Sequence, residues 1–341
     1  MKVLVTGARG FLGSAVLERL LAHGEKDVRC FLRTGSDRSR LQALVAKHSS
    51  AQVEFSCGNL NSLADIANAT EGVGTIYHLA AGMSGAPADL FLNTVIASKN
   101  LLEAVKDLRP LRIVLVSSFG VYGAADLPPG TVVDESTPLE TRPEKRDPYS
   151  YAKLRQELLF REYQQRHGFE LVVLRPGVVY GPRGTAFSSR VGLNVGGLFL
   201  HMGGSNLIPL SYVENCAEAI VLAGRNAEAA GQTYNVHDDG LPTSREYLCA
   251  YKKSVRRIHS VWIPYPMMLL ISYIVQKYHL WSRGQLPAVF TPYKSATTWK
   301  GTRFDNRKLK GLGWRQLVST PEGISRTFAY LKAQEDLGKA L

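Results

Sequence analysis

Lys2-Val-Leu-Val-Thr6-Gly7-Ala-Arg9-Gly10-Phe11-Leu12-Gly13 is the stretch on which the reading of this chain turns. Residues 2–6 are a β-rich apolar run. The glycines follow at once, and after them Val16, Leu17, Leu20 and Leu21 recur at helical spacing. Strand, glycine turn and helix in immediate succession are the context that a dinucleotide-binding loop requires. Gly7 lets the chain turn sharply, Gly10 lets backbone approach a pyrophosphate, and Gly13 lets helix pack on strand. The phosphates would sit at the helix N-terminus, where unpaired N–H groups and the dipole favour anions. Three glycines at a tight turn can also bind nothing, but the flanking elements argue for the loop.

The next strand, Val28-Arg-Cys-Phe-Leu32-Arg33, bears on which dinucleotide is bound. An acid at the end of this strand holds the ribose 2′-hydroxyl of NAD, whereas arginine accommodates a 2′-phosphate. Leu32 stands where the acid would be expected and Arg33 follows it, with Arg9 and Arg38 as further sources of positive charge. NADP(H) is therefore favoured over NAD(H), the plain alternative being that Arg33 is a solvated charge at a strand end.

Near the middle, Asp147-Pro-Tyr149-Ser-Tyr-Ala-Lys153 places a tyrosine and a lysine four apart in a segment that continues as a helix. Both then project from one face. An ammonium one turn away favours a phenolate and would fit the tyrosine to move a proton to or from an alcohol oxygen. By itself the pair is weak, since such spacings arise often by chance.

Taken together, the chain resembles an extended short-chain dehydrogenase/reductase, of the NAD-dependent epimerase/dehydratase superfamily. The loop is spaced TGxxGxxG and Tyr149 and Lys153 fit YxxxK. Ile76-Tyr-His-Leu79-Ala80-Ala81 resembles the family's fourth strand, and Val116-Ser-Ser118-Phe-Gly-Val-Tyr-Gly123 the strand that carries its serine. Leu174-Arg-Pro176-Gly177-Val-Val179-Tyr-Gly-Pro182, Tyr212-Val-Glu-Asn215 and Phe304-Asp-Asn-Arg-Lys-Leu-Lys-Gly-Leu-Gly-Trp314 resemble later motifs, so the likeness runs from residue 2 to about 315. The resemblance implies Ser118, Tyr149 and Lys153 as the catalytic set. It implies cofactor contacts at Thr6, Gly7, Arg9, Gly10, Phe11, Leu12, Gly13, Arg33, Arg38, Asn59, Leu60, Leu79, Ala80, Ala81, Tyr149, Lys153, Pro176, Gly177 and Val179, and no metal. Two departures stand out. Gly58-Asn59 replaces the GD that usually ends the third strand, and the family's helix asparagine falls between Asn93 and Thr94 and is left unassigned.

Strand-like runs near 2–6, 28–33, 53–57, 74–78, 112–117 and 171–174 alternate with helical stretches, and another near 233–236 rejoins them. That alternation means βαβ units. The expected class is α/β, a Rossmann-type doubly wound parallel sheet with a smaller, discontinuous C-terminal substrate lobe. Residues 1–176 would form the dinucleotide-binding domain, rejoined by about 211–238, and 177–210 with 239–341 the substrate lobe. Residues 124–146, rich in Pro and charge, read as a long loop beside the active site and a candidate lid.

The 341 residues, 45% hydrophobic and 21% charged, describe a globular protein with a sizeable core. Cys30, Cys57, Cys216 and Cys249 are dispersed, which suggests a reducing compartment. With Lys2 already in the first strand and no spanning run, the cytoplasm is the expected location. The whole net charge of +12 lies in residues 241–341, with 17 Lys/Arg against 5 Asp/Glu. Such a lobe could meet an anionic substrate or membrane; no nucleic-acid motif accompanies it. Met267-Met-Leu-Leu-Ile-Ser-Tyr-Ile-Val275 reads first as a buried helix of that lobe. The sharper alternative is an interfacial helix giving peripheral membrane contact and admitting a lipophilic substrate.

The implied reaction is hydride transfer between nicotinamide and a secondary alcohol or ketone. Leu286-Pro287 and the later FDxxK make the chain look nearest the 3β-hydroxysteroid dehydrogenase branch, so the small-molecule substrate is expected to be bulky, apolar and sterol-like. Phe119 and Gly120 stand where family dehydratases carry an Asp-Glu pair, which argues against dehydration. The alternatives are a nucleotide-sugar 4-epimerase or reductase and a non-catalytic dinucleotide-binding protein. The resemblance also implies a homodimer, through helices near 93–107 and 150–167.

Overall fold

The computed structural model describes residues 1–48, 50–283, 285 and 290–340; Leu286 and Pro287 lie outside the described residues. Seven parallel strands form the central sheet: β1 (Lys2–Thr6), β2 (Asp27–Leu32), β3 (Gln52–Cys57), β4 (Val73–His78), β5 (Arg112–Val116), β6 (Glu170–Pro176) and β7 (Thr233–Val236). Their order is β7-β6-β5-β4-β1-β2-β3. The order reverses between β1 and β4, and in such sheets ligands bind in the crevice at the strand ends there.

Side chains alternate between the two faces of the sheet. Val3, Val5, Val114 and Val116 join one core with α1 (Phe11–Ala22), α2 (Ser39–Val45) and the helix Val213–Arg225. Leu4, Ile113 and Leu115 face the other way, toward α3 (Leu63–Thr70). Beyond it, α4 (Pro87–Phe91) continues through a π-turn at Leu92–Ile96 into α5 (Ala97–Val105), and α6 (Pro148–His167) packs beside α5 on that second face. α7 (Val213–Arg225) packs against α1 on the first. Burial on both sheet faces is why β1, β5 and β6 are nearly continuous apolar runs, whereas the edge strand β3 is half exposed and carries Gln52, Glu54 and Ser56.

After β7 follow α8 (Ser244–Ser254), α9 (Tyr265–Trp281), α10 (Pro292–Trp299), α11 (Arg307–Gly311) and α12 (Thr320–Ala340). A small sheet of Gly192–Val195, Leu198–His201 and Ser260–Trp262 joins them. Leu309 and Trp314 pack into the first core, so part of the chain after Asp239 returns to the sheet.

Residues 124–146 form the expected long loop, with only Val132–Val133 as strand, but it is tied down: Val132–Val133 pairs with Arg303–Phe304, Gly130 N–H donates to Gly301 O at 2.8 Å, and the Tyr293 hydroxyl donates to Glu140 at 2.5 Å. Long-range pairing, invisible in a Pro- and charge-rich local sequence, pins the segment. One expectation needs correcting: α9 is not a buried helix, because only Met268 and Ser272 are buried along it.

Candidate active site and cofactor cleft

Gly7 takes φ +73°, and a Cβ there would stand 2.9 Å from the Ala80 nitrogen. At Gly13 a Cβ would come within 2.0 Å of the Gly7 carbonyl oxygen, so the first turn of α1 sits directly on the loop. No side chain caps that helix start. Its free N–H groups and positive dipole end are left facing the crevice, as an anion site requires. The loop therefore fits a dinucleotide pyrophosphate.

A cleft of about 430 Å³ opens beside it, lined by Gly7, Arg9, Gly10, Arg33, Asn59, Leu60, Ala80 and Ala81. Asn93 lines it too, and its Oδ1 accepts from the Arg33 guanidinium at 3.1 Å. The nearest acid after β2, Asp37, is turned back to accept from the Ser39 N–H at 2.9 Å. Other expected contacts fall outside this lining. Arg38 precedes α2 and is exposed; Phe11 and Leu12 pack on the cluster around Tyr180 and Tyr212; Gly13 serves helix packing. Leu79, Pro176, Gly177 and Val179 also lie outside, at and beyond the ends of β4 and β6. Thr6 is beneath the loop, 2.8 Å from His78 Nδ1.

Ser118 follows β5 and begins a 3-10 turn, its Oγ accepting from the Gly120 N–H at 3.1 Å. Tyr149 and Lys153 come from the first turns of α6. Asp147 caps that helix by accepting from Ser150 N–H at 2.9 Å, with Pro148 at its first position. Burial pushes the Tyr149 phenol above its ordinary pKa, while a hydrogen bond with Ser118 pulls the other way. A side chain at Gly120 would meet Ser150 Oγ at 2.7 Å, and Phe119 is stacked on Phe304. The dehydratase acid–base pair is therefore replaced by an aromatic and a filled space.

Lys153 departs from expectation. It is not among the groups that shift Tyr149. Its ammonium points inward, donating to Val116 O at 2.6 Å and to the Gln156 carbonyl oxygen. Burial pulls its pKa down to about 7, with Glu157 acting against that. Gln156 in turn donates to Ser98 Oγ at 2.7 Å and meets His78 Nε2 at 3.2 Å. A buried polar chain thus runs from Thr6 through His78 and Gln156 to Lys153. His78 itself is held near pKa 3 by burial and by Lys153, and so stays neutral. Sequence reading missed His78 and Gln156; the signal for Gln156 was its place three residues after Lys153, on the same helix face. Thr94, left unassigned, is buried in the π-turn and accepts from Gly82 N–H at 2.9 Å.

A profile of the NAD dependent epimerase/dehydratase family matches residues 3–236. The chain is 27% identical over 367 residues to an Arabidopsis thaliana 3beta-hydroxysteroid-dehydrogenase/decarboxylase isoform 1, covering 97% of this chain and 80% of that protein. It is 30% identical over 250 residues to an uncharacterized UDP-glucose epimerase of Bacillus subtilis, covering 69% and 76%. Among solved structures, the Thermus thermophilus UDP-glucose 4-epimerase in complex with NAD shares the fold, with a TM-score of 0.69 at 24% identity and coverage of 97% and 99%.

Proposed function

We propose that this chain, which belongs to the NAD dependent epimerase/dehydratase family, is an NADP(H)-preferring dehydrogenase or reductase acting on a secondary alcohol or ketone of a bulky, sterol-like substrate. The enzyme class itself, a short-chain dehydrogenase/reductase, follows from the family and its relatives. The observation that supports the reading is the hydrogen bond between Ser118 and Tyr149, in a chain whose glycine-loop cleft is lined by Arg33 where an acid would hold NAD.

When bound, the nicotinamide cofactor supplies or accepts the hydride. Tyr149 gives its proton to the substrate oxygen in reduction and takes it back in oxidation. Ser118 hydrogen-bonds the same oxygen and holds it in line with the phenol. Lys153, fixed by Val116 O and Gln156 one turn along α6 from Tyr149, would serve the ribose side of the cofactor as a hydrogen-bond donor. Arg33 and Arg9 supply the countercharge for a 2′-phosphate.

Arg190 bears on the substrate. Its guanidinium lies 5.6 Å from the centre of the Phe304 ring. Burial and the neighbouring Arg146 pull it down to about 10, and among the described residues no carboxylate offsets them. A substrate combining an apolar body with a carboxylate, such as the sterol carboxylates named for mammalian relatives, would supply the missing charge. Arg190→Met should then raise KM for a carboxylated sterol while leaving that for its uncharged counterpart unchanged.

The test is a fluorescence titration with NADPH and NADH side by side. Tighter NADPH binding that is lost in Arg33→Asp supports the reading. NADH preference, or protein isolated with tightly held NAD⁺, would overturn it and favour a nucleotide-sugar 4-epimerase, a UDP-glucose epimerase being the name of the Bacillus subtilis relative.

A further inference from the structure

Helix α9 carries a continuous apolar face that nothing among the described residues covers. Met267, Leu270, Ile274, Tyr278 and Trp281 recur at spacings of three and four, so they form one stripe, widened by Tyr273 and Leu280. Trp281 is 77% exposed, Leu270 59% and Ile274 57%. The opposite side holds the helix to the molecule by a narrow strip, with Met268 in a small cluster beside Trp299 and Ser272 Oγ 2.6 Å from Ser295 Oγ. Among the described helices none is long and apolar enough to cross a membrane.

Along the chain, the charge of the segment that carries this face has one sign, although Arg256 is paired across space with Glu335 of α12 at 3.3 Å. From Tyr247 to Phe304 the sequence contains nine Lys/Arg and no Asp or Glu. Lys252, Lys253, Arg257 and His259 line a groove immediately before the strand Ser260–Trp262, whose Val261 and Trp262 are exposed. Arg245 lies 5.5 Å from the Trp262 ring, and Lys277, within the apolar face, lies 5.4 Å from the Tyr273 ring. Exposed aliphatics, Trp and Tyr beside a run of cations in excess over acids are what a helix lying in an anionic lipid surface presents. A second copy of this chain would bring the same cations against themselves.

We propose that α9, with Trp262 and the Lys252–His259 groove, docks this protein on anionic lipid bilayers. The helix lies along the interface, about 25 Å of it, with its stripe among the acyl chains and the cations at the headgroups. Its inner side packs on α10, whose Tyr293 bonds Glu140 in the segment beside the catalytic residues. The docked face is thus one helix from the site, though the inference does not depend on the activity assigned there.

Flotation of the full chain with vesicles of phosphatidylcholine, with and without phosphatidylglycerol, tests this. Binding is expected to the anionic vesicles, to weaken when salt rises from about 0.1 M to about 0.5 M, and to fall at least about tenfold in a Leu270→Asp/Ile274→Asp variant. Lys253→Glu/Arg257→Glu should cost about fivefold or more per charge. Should the aspartate pair fail to fold by circular dichroism, the charge-reversal pair decides. No binding to anionic vesicles at low salt, or binding that survives both variants, overturns the proposal. So does a solution dimer abolished by Leu270→Asp/Ile274→Asp in a protein that ignores vesicles, which would assign the face to a second copy.

Discussion

Tyr149 sits in the folded chain with its phenol pushed up by burial and steadied by Ser118, so it is a protonated donor before substrate arrives. Tyr149→Phe removes that proton while leaving the glycine-loop cleft intact. Turnover should fall on the order of 10²–10⁴-fold with NADPH affinity unchanged, checked by steady-state kinetics beside a binding titration. Lys153 makes a separate, pH-dependent prediction. Burial lowers it from 10.5 to about 7, with Glu157 opposing. Between those values the unfolded chain holds a proton that the folded chain has released, so unfolding takes one up and stability from this group rises with pH. Below about 7 the folded chain must bury an ammonium, and the group is least favourable there. The thermal midpoint of the cofactor-free protein should climb relative to Lys153→Met from about pH 7 to about pH 9; a constant difference across that window would contradict the assignment.

At the scale of the element, α6 does two jobs. Its Asp147–Pro148 start sets the pitch at which Tyr149 and Lys153 leave the helix. Removing the cap with Asp147→Ala should cost about 1 kcal/mol in urea unfolding, and should lower turnover more than it lowers cofactor affinity. One turn beyond Lys153, buried Glu157 accepts from Arg175 at 2.6 Å, Arg161 at 2.8 Å and Ser117 Oγ at 2.6 Å, which ties α6 to β5 and β6. Burial alone would raise the Glu157 pKa, but these partners hold it below the ordinary carboxylate range. Glu157→Gln leaves the buried Arg175 charge uncompensated and should destabilise the protein by about 3–5 kcal/mol, again read by urea denaturation.

Across the whole molecule, the cofactor cleft is assembled from the loops after β1, β2, β3 and β4, which meet only because the strand order reverses at β1. A ligand held there ties together segments far apart in sequence and should stabilise the whole sheet. NADPH at about a hundred times its Kd should add about 2.7 kcal/mol, seen as a raised thermal midpoint. Gly7→Val, forced into positive φ and against Ala80, should abolish that rise. The charge is also a property of the whole: its excess lies in the C-terminal stretch that carries α9, away from the cleft.

The sequence by itself determined the sheet and named the candidate reactive groups. Apolar runs and glycine spacing are local, period-bearing signals, so each expected strand lies within two residues of its observed bounds. Ser118, Tyr149 and Lys153 could be named because each sits in a short motif that encodes its own turn or helix. What tertiary structure alone decided involves partners distant along the chain. Lys153 turns to Val116 O and Gln156 rather than acting on Tyr149, and Arg33 is held by Asn93 across the cleft. Residues 124–146 are pinned by 301–305 and by Tyr293. The apolar run of α9 shows the limit most plainly. Local hydrophobicity is the same whether a helix is covered or not, and only the packing of the rest of the chain left its stripe facing outward.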